Sequence, residues 1–267
     1  MTSGNGDPDG RKSAAHILLR LHVVIHVTSL EGGTAVIPLS DDIHQRRTTP
    51  YVNLILIAIN ILVYLYGLTL NQQGLDQFQT SCALTPLDIT SGHRELGGPC
   101  SVYVTPITAM FMHAGLLHIA GNMLYLFIFG DNVEDAMGHI GYLIFYLICG
   151  FAASAAQVVF SLGSNVPELG ASGAIAGVLG AYLVLYPHAR VNALLTLGIF
   201  FTVTRLSAAL VIGLWFALQF VQALASLGQQ AQGGVAVWAH VGGFVAGFLL
   251  VRLFRGPRRE YVGYTWR

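Results

Sequence analysis

The sequence predicts an all-α polytopic membrane protein in which six transmembrane helices form one bundle. The composition leads to this fold class, because 54% of the 267 residues are hydrophobic, only 10% are charged, and the mean hydropathy is +0.62. Soluble domains carry about 25% charged residues. The chain is therefore too apolar for water, and its solvent is a lipid bilayer.

The apolar residues are gathered into long runs, and a spanning helix needs about 20 of them. Six runs qualify as crossings: residues 51–70, 107–130, 140–162, 171–187, 206–227 and 235–254. A seventh run, residues 191–203, is only about 13 residues long, which suits an interfacial or re-entrant segment better than a crossing. Its role stays open at this point.

The spans divide the chain into an N-terminal extension (1–35), a membrane domain (36–256) and a cytoplasmic C-terminal tail (257–267). The extension contains the run AAHILLRLHVVIHV, which is too short to span and is interrupted by Arg20. No small-residue cleavage site of a signal peptide follows it, so we expect a helix on the membrane surface or a segment foreign to the natural product. Since no methionine stands between Met1 and Met110, translation is expected to begin at or near Val36.

The basic residues predict how the bundle is oriented. An even number of spans puts both termini in one compartment, and basic residues favour the cytoplasmic side. They flank the first, fourth and sixth spans at Arg46, Arg47, His188, Arg190, Arg252, Arg255, Arg258 and Arg259. We therefore expect a multi-pass protein of the plasma membrane, with both termini in the cytoplasm and with loops 71–105, 161–170 and 228–234 outside.

Charge and cysteine usage exclude some functions and leave one question open. Thirteen basic and thirteen acidic residues cancel, and no long basic run indicates nucleic-acid binding. No Asp, Glu or Lys falls within the six spans, which counts against a transporter or a channel. Cys82 and Cys100 share the outer loop, where an oxidising compartment permits either a disulfide or two free thiols. Cys149 is interpreted as a packing residue.

Polar residues inside spans are costly and therefore indicate function. They occur in three motifs: HAGLLHIAGN (113–122) in the second span, GASG (170–173) in the fourth and AHVGGFVAG (239–247) in the sixth. His118 and Asn122 are four residues apart and share one helix face, whereas His113 is turned away from it. Such residues also serve as plain hydrogen bonds between helices, and the second-span motif alone does not separate the two roles.

Small residues predict that the fourth and sixth spans pack together. Two rows carry them: Ser172, Ala176 and Gly180 with Gly173 beside them, and His240, Gly243 and Gly247. Because small residues let two backbones approach closely, we expect Ser172 and His240 to meet in the outer half of the membrane. Counted from residue 107, His118 and Asn122 lie deeper. This discrepancy is removed if the second helix is tilted or begins above the membrane surface.

These residues suit nucleophilic attack on a peptide carbonyl. A serine hydroxyl needs a neighbouring base, and the neutral imidazole of His240 supplies one for Ser172. The backbone N–H of Ser172 and the side chains of His118 and Asn122 are available as donors to an oxyanion. Because the spans hold no acid that would orient His240, we infer a Ser–His dyad rather than a triad.

The three motifs, in this order on the second, fourth and sixth spans, resemble the rhomboid family of intramembrane serine proteases over approximately residues 36–254. The resemblance implies that Ser172 is the nucleophile, His240 the general base, and His118 and Asn122 the oxyanion-hole side chains. It implies supporting roles for Gly170, His113, Gly173, Gly243 and Gly247. It also implies hydrolysis of single-span membrane proteins in or near their transmembrane segments, within the bilayer, without a metal ion or other cofactor.

Two positions depart from the family pattern. Many members carry a Trp-Arg pair ahead of the second span, where this chain has VYVTPIT (102–108). Some place an aromatic residue four positions after the nucleophile, where it stacks on the histidine, and this chain has Ala176 there. The alternative function is that of a non-catalytic relative that binds transmembrane clients. Such relatives typically lose the serine or the histidine, and both are present here.

Overall fold

The computed structural model describes residues 29–30, 34–43, 47–93, 99–197, 200–227 and 235–255. The run AAHILLRLHVVIHV, the expected tail 257–267 and the expected outer loop 228–234 lie outside the described residues, as do Arg46, Arg258 and Arg259. The described part of the chain is mostly helical, as the sequence predicts.

The α-helices of this part are α1 (Tyr51–Thr69), α2 (Gln72–Cys82), α3 (Pro86–Ser91), α4 (Thr105–Thr108), α5 (Leu116–Tyr125), α6 (Asp131–Met137), α7 (His139–Phe160), α8 (Ser172–Leu185), α9 (Ala208–Ala225) and α10 (Val237–Phe254). Single 3-10 turns, Val102–Val104 and Ala109–Phe111, flank α4. A π-helical turn, Leu126–Gly130, joins α5 to α6. The two therefore form one continuous helical segment.

Five helical segments of the described residues are long and apolar enough to cross a membrane: α1, the α5–α6 segment Leu116–Met137, α7, α9 and α10. The expected fourth span is α8, which has 14 residues and rises only about 21 Å, against about 30 Å of hydrocarbon. The count of six spanning helices is therefore not confirmed. Every residue from Gly173 to Tyr182 is buried, so α8 is enclosed by protein, where a shorter helix is tolerated.

The second span begins later than predicted. Its helix starts at Leu116 rather than near residue 107, because Met112 and Gly115 have extended backbones with ψ of 147° and 171°. The break brings His118 to the third position of α5, while Ser172 is the first residue of α8. For His118 the discrepancy in depth thereby disappears, since both side chains lie in the first turn of their helices, whereas Asn122 lies one turn further along α5.

The all-α prediction omits a four-stranded antiparallel sheet. Its strands, in spatial order, are β1 (Ser29–Leu30), β2 (Thr34–Asp41), β3 (Arg190–Leu197) and β4 (Phe200–Ser207). The run 191–203, which we expected to be interfacial or re-entrant, forms most of the β3–β4 hairpin between α8 and α9. Side chains alternate between the two faces of a strand, and here Val191 and Ala193 are buried whereas Arg190 is exposed.

Three buried polar residues, called here the Glu134 cluster (Glu134, Asn53 and Tyr142), hold the start of α1 against α6 and α7. The carboxylate of Glu134 accepts hydrogen bonds from the backbone N–H groups of Val52 at 3.0 Å and Asn53 at 2.7 Å. The Asn53 side chain donates to the Leu126 carbonyl at 2.9 Å and accepts from the Tyr142 hydroxyl at 2.8 Å. Because the first N–H groups of a helix have no partner within it, this cluster caps α1.

Candidate active site

The backbones of α8 and α10 touch, as the small-residue pattern predicts. A Cβ atom on Gly243 would lie 1.9 Å from the carbonyl oxygen of Gly173, and one on Gly247 would lie 2.0 Å from that of Gly177. No side chain larger than hydrogen fits at either position. The glycines thus bring the two helices together along the faces that carry Ser172 and His240.

Ser172 and His240 form a hydrogen bond at the end of this helix pair. The distance from Ser172 Oγ to His240 Nε2 is 2.7 Å, and His240 is only 3% exposed. His240 is the fourth residue of α10, so both side chains project from first turns. The predicted contact between the hydroxyl and the imidazole is confirmed.

His240 has a second polar partner, which the sequence analysis missed. Its Nδ1 atom lies 2.8 Å from Oε1 of Gln219 in α9. An amide oxygen only accepts hydrogen bonds, so Nδ1 carries the proton and Nε2 keeps a lone pair for the hydroxyl of Ser172. A search restricted to acids overlooked this residue, although a glutamine within an apolar span is itself a signal of function.

An aromatic ring also contacts His240, but it does not come from α8. The ring centroids of Trp215 and His240 are 5.6 Å apart, with an interplanar angle of 42°. Trp215 precedes Gln219 by four residues, and the two side chains therefore share one face of α9. Trp215 thus contacts the ring that the aromatic residue of some family members would cover from position 176.

His118 lies beside Ser172, with Gly170 between them. Gly170 has φ +135°, and a Cβ atom there would lie 2.9 Å from His118 Nε2 and 3.6 Å from Ser172 Oγ. A side chain at this position would be strained and would also separate the two groups. Glycine at position 170 therefore keeps the space between the imidazole and the hydroxyl open.

Two polar atoms of α5 are buried without a hydrogen-bond partner. Among the described residues, neither Nδ1 of His118 nor Nδ2 of Asn122 has a hydrogen-bond partner. An unsatisfied buried polar group costs about 1–3 kcal/mol. Such a cost is typical of a site that binds a ligand or a reacting atom rather than of a packing contact.

His113 lies closer to His118 than predicted. The expectation that it is turned away assumed one unbroken helix, and the break before Leu116 removes that assumption. The two imidazole rings are 5.0 Å apart at 69°, edge to face. His113 is 4% exposed, and neither of its ring nitrogens has a hydrogen-bond partner among the described residues. It therefore contacts His118 through its ring alone.

A glutamine of α7 connects the segments that precede Ser172 and His240. Nε2 of Gln157 donates to Oε1 of Glu168 at 2.5 Å, and its Oε1 accepts from the backbone N–H of Ala239 at 2.9 Å. Glu168 lies in the loop before α8, where burial raises the pKa of its carboxyl group to about 8, an effect that the hydrogen bond from Gln157 opposes. The sequence analysis gave neither residue a role.

A cavity of about 40 Å³ adjoins Ser172. Its lining includes Leu84, Glu168, Gly170, Gly173, Ser154 and Ala239. A space of this size holds at least one water molecule. The hydroxyl of Ser172 therefore lies where a buried reaction with water has room.

The loop expected to face outward, residues 71–105, is linked to the same end of the bundle. Cys82 and Cys100 form a disulfide bond, which answers the question left open by the sequence. Leu84 and Glu168 exchange backbone hydrogen bonds of 2.9 and 2.8 Å. Cys149 is a buried free thiol, as its interpretation as a packing residue requires. Within the described ranges, no group of three or more His, Cys, Asp or Glu residues forms a candidate metal site.

Comparison with known proteins returns one consistent family. A family model described as "Rhomboid domain" matches residues 101–257. "RHOMBOID-like protein 6, mitochondrial" of Arabidopsis thaliana is 33% identical over 144 residues, which are 54% of this chain and 41% of that protein. "Rhomboid protease GluP" of Bacillus subtilis (strain 168) is 40% identical over 92 residues, which are 34% of this chain and 18% of that protein. In both relatives, less than half of the length is matched.

Proposed function

This chain belongs to the rhomboid family, whose model covers residues 101–257, and on that premise we propose that it is an intramembrane serine protease. It hydrolyses peptide bonds in or near the transmembrane segments of membrane proteins, with Ser172 as nucleophile and His240 as general base. The observation that carries this proposal is the hydrogen bond of 2.7 Å between Ser172 Oγ and His240 Nε2. The other ring nitrogen of His240, Nδ1, donates a hydrogen bond to Gln219.

In the first step, the Ser172 oxygen attacks the carbonyl carbon while its proton passes to Nε2 of His240. The tetrahedral intermediate then expels the amine, which takes the proton from the imidazolium and leaves an acyl-enzyme. A water molecule gives a proton to His240 and attacks the ester, which releases the acid and restores the hydroxyl. One imidazole thus serves as base and acid in turn.

The oxyanion formed in each step needs donors that are in place beforehand. The imidazole of His118, the amide of Asn122 and the backbone N–H of Ser172 fill this role in the proposed mechanism. Three facts support it: the Asn122 amide nitrogen has no partner among the described residues, Nε2 of His118 borders the space at Gly170 beside Ser172, and Ser172 begins α8. The first N–H groups of a helix are free, and its N-terminus favours a negative charge.

The reaction takes place toward the outer side of the plasma membrane, with both termini in the cytoplasm. The Cys82–Cys100 disulfide supports this orientation, because disulfides persist in oxidising compartments and this bond lies two residues from Leu84, the partner of Glu168. The substrates are single-span membrane proteins that enter from the bilayer. Neither a metal ion nor another cofactor takes part in this proposal.

The test uses the purified protein in proteoliposomes, with a fluorophosphonate probe and a generic single-span substrate. Ser172→Ala and His240→Ala are expected to abolish both labelling and cleavage. Ser154→Ala is the matched serine control, because Ser154 lines the same cavity, and His188→Ala is the histidine control, because His188 is exposed. Both controls should retain activity.

Equal labelling of the wild type and of folded Ser172→Ala would contradict the proposal. A wild type that captures the substrate without cutting it, as Ser172→Ala also does, would instead support the client-binding alternative.

A further inference from the structure

Gln219 is a buried polar residue in an otherwise apolar helix. It is 1% exposed, and α9 is one of the helices long and apolar enough to cross the membrane. Burying an amide in an apolar environment is unfavourable unless its polar atoms are hydrogen-bonded. The partner it finds is His240, 21 positions later in the chain.

This contact selects one tautomer of His240. Oε1 of Gln219 accepts the Nδ1 proton at 2.8 Å, and Nε2 faces Ser172 Oγ at 2.7 Å. The opposite tautomer would place a proton on Nε2 and leave no lone pair to take the proton of the hydroxyl. The three side chains therefore form a line, Gln219, His240 and Ser172, in which the first decides whether the second acts as a base.

We propose that Gln219 is the positioning residue of the Ser172–His240 pair, and that this chain uses a neutral amide where soluble serine proteases use a carboxylate. The inference rests on the proposed function. A buried aspartate orients the histidine and also stabilises the imidazolium by its charge. Gln219 provides the orientation alone, and it avoids the high cost of a carboxylate within a membrane span.

Trp215 restrains the same imidazole from the preceding turn of α9. Its ring contacts the ring of His240. Helix α9 therefore contacts this imidazole twice, through Gln219 at Nδ1 and through the ring of Trp215. Ala176, in α8, has no ring to do this. Orientation of the base therefore comes from α9, a helix that carries neither Ser172 nor His240.

The experiment compares Gln219→Met, Gln219→Glu and Gln222→Met in proteoliposomes. Methionine has a similar length and shape but lacks the acceptor oxygen, whereas glutamate keeps an acceptor at the same position in either protonation state. Gln222 is the matched control, because it is a half-buried glutamine on the same helix. The measurements are kcat, KM, the rate of fluorophosphonate labelling, the unfolding midpoint and the ¹⁵N spectrum of His240.

Gln219→Met is expected to lower kcat and the labelling rate by about 10- to 100-fold, as the loss of an orienting partner does for metal-bound histidines, with KM unchanged. Its ¹⁵N spectrum should show both tautomers of His240, whereas the wild type shows the proton on Nδ1 alone. Gln219→Glu should restore most of kcat and the single tautomer. Gln222→Met should match the wild type in every measurement.

Normal kcat and one tautomer in folded Gln219→Met would overturn the inference while leaving the protease proposal intact. An equal loss in Gln219→Met and Gln219→Glu would also overturn it, because the acceptor would then be irrelevant. If Gln219→Met does not fold, Gln219→Asn takes its place, since the shorter amide withdraws the acceptor and should show the same loss. Absence of labelling in the wild type would contradict the proposed function instead.

Discussion

Two groups of buried polar residues lie at opposite ends of the same helices, and they differ in how their hydrogen bonds are satisfied. In the Glu134 cluster, the carboxylate of Glu134, the amide of Asn53 and the hydroxyl of Tyr142 all have partners. At the other end, Nδ1 of His118 and Nδ2 of Asn122 have none among the described residues. Both groups are buried, so burial alone does not distinguish them.

The difference indicates what each group is for. Hydrogen-bonded polar groups in an apolar interior fix one arrangement of the helices. Removing one partner leaves the other buried without a hydrogen bond, at its full desolvation cost. Unsatisfied polar atoms give no such stability. The Glu134 cluster therefore stabilises the fold, whereas the unsatisfied atoms at the Ser172 end agree with the proposed binding of an oxyanion.

The largest effect on stability is expected from Glu134→Ala, which would break the satisfied cluster. The change leaves the backbone N–H groups of Val52 and Asn53 without acceptors, and at about 1–3 kcal/mol for each such donor we expect a loss of about 2–6 kcal/mol in the free energy of unfolding. Unfolding in a detergent titration would measure it. Asp135→Ala is the control, because the groups that Asp135 accepts from are exposed, and its smaller loss would show that burial decides the cost.

The opposite group should respond in activity and not in stability. His118→Ala and Asn122→Ala are each expected to lower kcat about 10²–10³-fold, the usual result of losing one oxyanion donor. The unfolding midpoint should stay the same or rise, since an unsatisfied buried donor is removed. Asn53→Ala provides the contrast, with a lower midpoint. A large fall in the midpoint for Asn122→Ala would erase the distinction between the two groups.

The helix contact that joins α8 to α10 sharpens the comparison further. Gly243→Ala would put a Cβ atom against the Gly173 carbonyl, so we expect a loss of about 1–3 kcal/mol together with slower labelling of Ser172. Gly213→Ala, with nothing within 4 Å of its Cβ, should instead stabilise the protein by about 0.5–1 kcal/mol. Paired measurements of unfolding and labelling would detect both. Equal effects of the two substitutions would mean that the close approach is unimportant.

A pH-dependent effect is expected from Glu168, the partially buried acid near Ser172. Burial raises its pKa in the folded protein from the ordinary value of 4.5 to about 8. Because the folded state holds the proton more tightly, its contribution to stability is complete below pH about 4.5 and is lost as the pH rises through about 8. Glu168→Gln should make the unfolding midpoint less dependent on pH in this window. Parallel pH profiles of the variant and the wild type would contradict this.

The contact between Ser172 and His240 could be predicted from the sequence, because regularly spaced glycines mark the faces along which α8 and α10 pack closely. Other features depend on tertiary packing. The position of Gln219 opposite His240 depends on which face α9 turns toward the bundle. That face cannot be predicted from the sequence, because α9 is apolar on all sides. Likewise, the short apolar run 191–203 does not reveal that it pairs with β2, a partner about 155 residues earlier in the chain that local periodicity does not specify.

The length of α8 has one more consequence. With Leu185 placed at one face of a hydrocarbon layer about 30 Å thick, a rise of about 21 Å would bring Ser172, the first residue of α8, to about 9 Å below the other face. Under the proposed activity, a peptide bond reaches the hydroxyl according to its depth. The depth of a peptide bond below the membrane surface would then determine whether it is cleaved, in addition to the side chains that flank it.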